Sequence, residues 1–307
     1  MKGAKQTTLR DHIALFGIGV HSGRPVTLTL HPADDDAGIV FQRVSADGSV
    51  EREIRADVRA VTATEFATVL GDASGPLCST AEHLLAALRG LNVDNVIVEV
   101  DGPEVPIMDG SAAPFSFLLE CAGIVSLETP RKVIEILRPV RVTDGKAFAE
   151  LRPLGQTTTQ TAVPTLDLEV SIDFAEPAIG RQSRTLRLTP ENFREAVAPA
   201  RTFALARDID HLRDLGLAKG GSLDNAIVVD GSRVLNPGGL RMKDEFVVHK
   251  LLDAVGDLAL AGAALHGRFI AHRPGHGLNN KLLKALFANP EAWAEITRRS
   301  LAEAVAA

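Results

Sequence analysis

The sequence predicts an α+β protein of two domains, and three observations carry that expectation. Short extended runs bounded by turn residues fill Gln6 to Asp72, and the period then changes to helical spacing at Ser79. Strands followed by helices restart after Glu128 to Arg131, the segment ETPR, dividing an N-terminal domain (1–127) from a C-terminal one (128–307). Late in the second half, Glu245 to Leu260 reads EFVVHKLLDAVGDLAL, a helix apolar around most of its girth that still carries His249, Asp253 and Asp257 at every fourth position.

In the first half, Ile13 to Val20, Val26 to Leu30 and Gly38 to Val44 read as strands, with VHSG (Val20 to Gly23) as a tight turn exposing His21. Asp47-Gly48 predicts a hairpin, and Thr64 to Asp72 a further strand. Ser79 to Leu91 sets Leu84, Leu85, Ala87 and Leu88 at helical spacing, with Ser79 or Thr80 as the cap. Asn95 to Val100 returns as a strand, and Ile107 to Ile124 closes the half as a helix.

In the second half, Lys132 to Val142, the Asp144-Gly145 turn and Ala147 to Pro153 predict a hairpin. Apolar residues at 166, 168, 170, 172 and 174 alternate with polar ones, which gives a strand with one wet face. Thr189-Pro190 starts a short helix, and Ala204 to Leu217 forms another that ends at Gly216. Ala226 to Asp230 and Gly267 to His272 are strands. A glycine-rich stretch, RPGHGLNN, then leads to helices from about Lys281 and from Glu291, leaving the tail helical. EHLLAALRGL and HKLLDAVGDL each begin an apolar helix with a histidine and feed a strand, an echo that hints at duplication.

Composition narrows the function classes. With 307 residues, 45% apolar and 23% charged, the chain can bury substantial cores. A net charge of -6, with no basic block or interleaved aromatics, argues against a nucleic-acid partner. Cys78 and Cys121 form no C-x-x-C, which disfavours a disulfide framework or thiolate zinc site and fits the reducing cytoplasm. The first 17 residues lack the apolar run of a signal peptide, and no apolar stretch of about 18 residues follows; a soluble chain is expected, with transient membrane-surface contact left open.

The chemistry gathers on the helix of His249. One turn separates His249 from Asp253, so the two side chains project from one face about 6 Å apart along the axis, close enough to share a cation. An isolated pair of this kind is usually a solvated link, but here the flanking residues are apolar and a buried imidazole and carboxylate require a partner. A zinc site built for hydrolysis takes three such ligands and leaves a position for water. His83 is the strongest third candidate, and Glu82 beside it is an acceptor able to take a proton. The competing reading makes Ser79-x-x-Glu82 a capping box, and local pattern does not separate the two. His276, between Gly275 and Gly277, reads either as a site histidine that backbone and substrate can approach closely or as a loop histidine.

These motifs resemble a known family. TAEHLLAAL, IMDGSAAPF, RTFALARDI, GGSLDNAIVVD, DEFVVHKLLDAVGDLAL and PGHGLNNKLL, in this order after VHSG, look like the UDP-3-O-acyl-N-acetylglucosamine deacetylases of lipid A biosynthesis, and the likeness runs from about Gln6 to Leu286. It implies a cytoplasmic, monomeric zinc enzyme of two similar domains, each a sheet layer and a helix layer, with the helices packed between the two sheets. It also implies removal of the acetyl group from an acylated UDP-amino sugar. Carried over residue by residue, the resemblance makes His83, His249 and Asp253 the Zn2+ ligands and Glu82 the general base. His276 becomes the general acid, Asp257 the carboxylate that orients it, Thr202 an oxyanion contact and Lys250 a substrate-binding lysine. Phe174 falls near the uracil, while Phe203, Ile209, Leu212 and Ala218 to Ser222 fall along an acyl-chain passage in the C-terminal domain. Two positions depart from the family pattern. Arg273 stands where a lysine is expected near the diphosphate, and Val61 to Phe66 reads VTATEF in place of an Asp-Thr-Arg type stretch. Two rivals, a zinc amidohydrolase of another N-acetyl substrate and a non-catalytic nucleotide-sugar-binding protein, lack a use for the passage or for the Glu82 and His276 pair.

Overall fold

The computed structural model describes residues 5–155 and 164–297. In the first half, β1 (Lys5–Leu9) is followed by β2 (Ile13–Ile18), β3 (Pro25–Pro32), β4 (Ile39–Val44) and β5 (Val50–Arg55), then by the short strands β6 (Val61–Ala63), β7 (Val69–Asp72) and β8 (Gly75–Cys78). Helix α1 (Glu82–Gly90) leads into β9 (Val96–Val100), and α2 (Ala113–Ala122) into β10 (Ile124–Pro130). The main sheet has the order β2-β3-β9-β4-β5, with β9 antiparallel to β3 and parallel to β4. Alternation puts Val26, Leu28 and Leu30 of β3 and Val96, Val98 and Val100 of β9 into the core. The expected hairpin at Asp47-Gly48 joins β4 to β5, with Gly48 at φ 82.

The second half repeats this plan. It comprises β11 (Lys132–Ile136), β12 (Val140–Asp144), β13 (Ala147–Arg152), β14 (Leu166–Asp173), β15 (Arg181–Leu188), α3 (Pro190–Asn192), β16 (Phe203–Leu205), α4 (Ala206–Asp214), β17 (Ile227–Asp230) and β18 (Arg233–Val234). The chain continues through α5 (Glu245–Ala259), β19 (Ala264–His272), α6 (His276–Phe287) and β20 (Trp293–Thr297). The hairpins β12–β13 and β14–β15 flank β19, which is antiparallel to β13 and parallel to β14. This is the pairing plan of β2–β3, β4–β5 and β9, and in each half a helix, α1 or α5, immediately precedes the central strand. The echo between the two helix sequences therefore marks equivalent positions in two similar α+β units.

The helices lie between the sheets. Helix α5 rests on β14 and β15, α2 on β2, and α1 packs against both α2 and α5. Every residue of α1 is buried, as is every residue of α5 except Lys250. The two helices approach so closely at Gly256 that a Cβ there would stand 2.0 Å from the backbone oxygen of Glu82. Only glycine permits that crossing.

Several elements differ from the sequence expectation. Helix α1 begins at Glu82 because Thr80 adopts φ 55, and neither Ser79 nor Thr80 caps it. Residues 107–112 form a turn in which Asp109 accepts from the Ser111 N–H and hydroxyl, so α2 starts only at Ala113 and stops at Gly123 (φ 75). Phe66, at φ 64, interrupts the strand expected from Thr64. Strand β15, RQSRTLRL, carries no apolar run that local pattern could flag, and its pairing with β14 creates it. Helix α6 starts at His276 rather than near Lys281. The helix expected from Glu291 is instead β20, an edge strand recruited by antiparallel pairing with β11; its expected continuation beyond residue 297 lies outside the described residues.

Gly256→Ala should lower stability by at least about 2 kcal/mol, because the added methyl meets backbone that cannot rotate aside. Thermal unfolding checks this, and an unchanged Tm would show that the helices separate at no cost.

Candidate active site

The crossing of α1 and α5 assembles a centre from two ends of the sequence. Glu82 and His83 are the first residues of α1, and His249, Asp253 and Asp257 occupy successive turns of α5. His83 Nε2 lies 3.5 Å from Asp253 Oδ1, and His249 Nε2 lies 3.3 Å from the same oxygen. The imidazole rings meet edge to face at 5.0 Å between centroids. One ligand atom from each of the three residues falls within 4.8 Å of the others, and all three side chains are buried.

This donor set fits a divalent cation. His249 Nδ1 lies 3.1 Å from the Ala200 carbonyl and carries the proton, which leaves the Nε2 lone pair facing Asp253 and His83. Burial pushes the His249 pKa down to about 3, so the ring is in its neutral, ligating form at neutral pH. Although burial works against ionisation of Asp253, His249 and the Lys250 ammonium hold its carboxyl well below the usual range. Lys250 Nζ reaches Oδ2 at 2.8 Å, whereas among the described residues Oδ1 is buried with no hydrogen-bond partner, as is Nδ1 of His83. A buried acceptor without a donor costs about 1–3 kcal/mol, and a cation at the His83–His249–Asp253 junction would satisfy Oδ1.

Beside the triad stands a proton-transfer pair. Glu82 Oε2 accepts the Thr68 N–H at 3.0 Å, and Oε1 lies 3.8 Å from His276 Nε2. The Ser79 N–H donates to the Pro103 carbonyl, so the capping-box reading of Ser79-x-x-Glu82 is overturned. Burial raises the Glu82 pKa, against the opposing pull of His276 and His83. His276 Nδ1 donates to both oxygens of Asp257, at 3.1 and 3.0 Å. Asp257 also accepts the Thr68 hydroxyl at 2.6 Å and Asn279 Nδ2 at 2.8 Å. Burial alone would discharge His276, and a cation at a helix N-terminus opposes the helix dipole, yet Asp257 and Glu82 raise its pKa to about 10. His276 is thus a charged donor on the first turn of α6, not a loop histidine.

Both groups open into one cavity of about 470 Å³. Glu82, His83, His249, Asp253, Lys250 and His276 form its polar end, and Ile107, Phe203, Ile209, Leu212, Ala218 and Leu223 its apolar wall. Helix α4 has no fully buried residue, because the side that carries Ile209 and Leu212 faces this space. Thr202 lines the wall with its backbone tied to Gly110 and Ile227, and Ser222 lies on it as an exposed residue. Phe174 and Arg273 stand outside the wall. Phe174 packs behind Phe203 at 5.5 Å between ring centroids, and Arg273 is exposed at φ 53, three residues before His276.

Pattern reading missed Thr68, Asn279 and the Ala200 carbonyl, and left His21 as a turn residue although it lines the cavity. Asn279 lies three residues after His276 on α6, a helical spacing that becomes visible once that helix begins at residue 276. Thr68 and Ala200 carry no local signal, since their partners at the site lie 13 to 189 residues away in the chain.

Fold and site together define an α+β hydrolase class: a buried His-His-Asp donor set, a carboxylate able to take a proton and an imidazolium able to give one, at the end of an apolar cavity. Residues 6–288 match the family described as UDP-3-O-acyl N-acetylglycosamine deacetylase. The chain is 48% identical over 295 residues to the UDP-3-O-acyl-N-acetylglucosamine deacetylase of Haemophilus influenzae (strain 86-028NP), covering 95% of this chain and 93% of that one. The enzymes of the same name from Pasteurella multocida (strain Pm70) and Actinobacillus pleuropneumoniae serotype 3 (strain JL03) are 48% and 46% identical at the same coverage. The chain belongs to the UDP-3-O-acyl-N-acetylglucosamine deacetylase family, a family of amide-hydrolysing metalloenzymes. Among the described residues, no helix is long and apolar enough to cross a membrane.

Two outcomes test this geometry. His249→Ala or His83→Ala should abolish stoichiometric metal binding measured by elemental analysis; a full complement in both variants would remove them from the donor set. In metal-free protein, His276 should stay protonated from pH 6 to 8 by NMR. Its folded pKa of about 10 exceeds the ordinary value of 6.5, so its contribution to stability is complete below about pH 6.5 and is lost as pH rises through about 10.

Proposed function

We propose that this chain hydrolyses the N-acetyl group of UDP-3-O-acyl-N-acetylglucosamine, an early step of lipid A biosynthesis, releasing acetate and a free glucosamine amine. One observation carries the reading: the donor triad, the buried carboxylate and the charged histidine converge at the polar end of a cavity whose remaining wall is apolar. His83, His249 and Asp253 would hold zinc, which supplies a Lewis acid and lowers the pKa of water when bound. Glu82, its basicity raised by burial, accepts the proton of the attacking water. The Thr202 hydroxyl donates to the oxygen on which negative charge develops. His276, held by Asp257, delivers its Nε2 proton to the departing amine nitrogen as the C–N bond breaks. Atoms and charge balance: the carbonyl carbon gains the water oxygen as the C–N bond breaks, the proton Glu82 takes from water makes good the one His276 gives up, and the acetic acid formed loses its own proton to solvent as acetate.

The apolar wall gives the acyl chain its place. Phe203, Ile209, Leu212 and Ala218 to Ser222 would take the chain, each buried methylene contributing up to about 0.8 kcal/mol. Lys250, held charged by Asp253 despite burial, would meet a polar group of the sugar nucleotide. Phe174 and Arg273 would serve the uracil and the diphosphate outside the cavity. The same reading divides the chain at 127/128, supported by two main sheets whose pairings each stay on one side of that point. It also makes the protein a cytoplasmic monomer with at most transient membrane-surface contact.

Glu82→Ala should keep the metal and lose at least about a hundredfold in rate. UDP-GlcNAc without the acyl group should be a far poorer substrate, because remote binding energy positions the acetamide. Ser222→Trp should depress turnover of the acylated substrate while leaving metal content and Tm nearly unchanged. Equal kcat/KM for acylated and unacylated substrates, measured by acetate release, would sink the passage.

A further inference from the structure

The segment Val61 to Phe66 and the residues just after it have no part in the steps above, yet they reach into the centre. Thr68 is buried at 1% exposure, and all three of its polar groups are hydrogen-bonded, two of them to the side chains of Glu82 and Asp257. Its N–H donates to Glu82 Oε2 at 3.0 Å, its carbonyl accepts the N–H of Ala81 at the entry to α1 at 3.3 Å, and its hydroxyl donates to Asp257 Oδ1 at 2.6 Å. Asp257 in turn holds His276 Nδ1. One residue therefore touches the carboxylate of the base and the carboxylate that orients the acid, which stand on different helices.

The path into Thr68 is shaped for this task. Phe66 adopts φ 64, a left-handed conformation costly for a bulky side chain, and it lines the cavity while remaining 46% exposed. The kink turns the chain inward, so that Ala67 and Thr68 are buried directly after an exposed residue. On the same segment, Thr64 Oγ1 lies 3.3 Å from where a Cβ on Gly277 would stand, against the first turn of α6 beside His276. Thr64 to Thr68 thus contacts the starts of both α1 and α6.

We propose that Thr68 is a positioning residue that holds Glu82 and, through Asp257, His276 in register across the helix boundary. Its hydroxyl fills one of the sites on Asp257, leaving His276 Nδ1 a fixed direction of approach, so that Nε2 stays aimed at the leaving nitrogen. The inference rests on the assignment of Glu82 and His276 as base and acid.

Thr68→Val removes only the hydroxyl donor and keeps the N–H to Glu82, whereas Thr68→Ser keeps both and loses a methyl group. With the metal-loaded full chain and the acylated UDP-GlcNAc substrate, Thr68→Val should lower kcat about tenfold at unchanged KM and metal content, and Thr68→Ser should stay within about twofold of the parent. In a His276→Ala background, Thr68→Val should cost nothing further, because the group it positions is gone. A parental rate for Thr68→Val, an equal fold-loss in both backgrounds, or a loss in Thr68→Ser as large as in Thr68→Val would each overturn the proposal, the last two by reducing Thr68 to packing. A His276→Ala enzyme with the parental rate would instead overturn the assignment of the acid, a failure the single variant identifies by itself.

Discussion

The close crossing of α1 over α5 is the constraint on which the rest depends. Gly256 lets the backbone of Glu82 come within contact of α5, and that approach alone brings the first turn of one helix onto the polar stripe of the other. His83 then meets Asp253, and Glu82 meets His276 from the start of α6. The polar stripe on a helix buried along nearly its whole length is unfavourable in isolation, because each ionisable group loses its water. It is tolerated because every charge in it finds a partner or a position for a cation. Asp257 has three donors, Asp253 has Lys250, and the remaining Oδ1 of Asp253 faces the two imidazoles.

The same burial separates the roles of chemically similar groups. Two histidines lining the same cavity are driven in opposite directions: His249, tied to a backbone carbonyl, is held neutral, whereas His276, tied to a carboxylate, is held charged. Two carboxylates differ likewise. Burial raises Glu82 toward a proton acceptor of useful basicity, and the ammonium of Lys250 together with His249 keeps Asp253 ionised. The proposed ligand, base and acid are thus distinguished by what each touches, not by residue type.

The fold supplies this centre by using one unit twice. Each half builds a hairpin, a second hairpin and a helix that leads into the central strand, and the two copies face each other through those helices. The copies then diverge in what surrounds them. The second adds β16, α4 and β17, whose apolar side completes the cavity over a centre made from both halves. The repeated unit contributes the framework, and an asymmetric insertion gives the cavity its apolar wall.

Much of this was legible in the chain itself. The strands with clean alternation, such as Leu166–Asp173, the helix of Glu245–Ala259 and the spacing of His249, Asp253 and Asp257 follow from local periodicity, which depends only on the geometry of the backbone. So did the adjacency of Glu82 and His83, and the motifs that place the chain in its family. Other features were decided by tertiary structure alone. Trp293–Thr297 is a strand because β11 offers an open edge, and Arg181–Leu188 because β14 does; neither carries enough local preference to declare itself. Glu82 bonds to Thr68 rather than to its own helix end because the chain enters α1 through a left-handed residue at Thr80. The protonation of His276 depends on Asp257 and Glu82, and Asp257 in turn is held by Thr68 and Asn279, residues brought there by packing, since hydrogen bonds and charges act through space and local sequence reports only on neighbours within a turn or a strand.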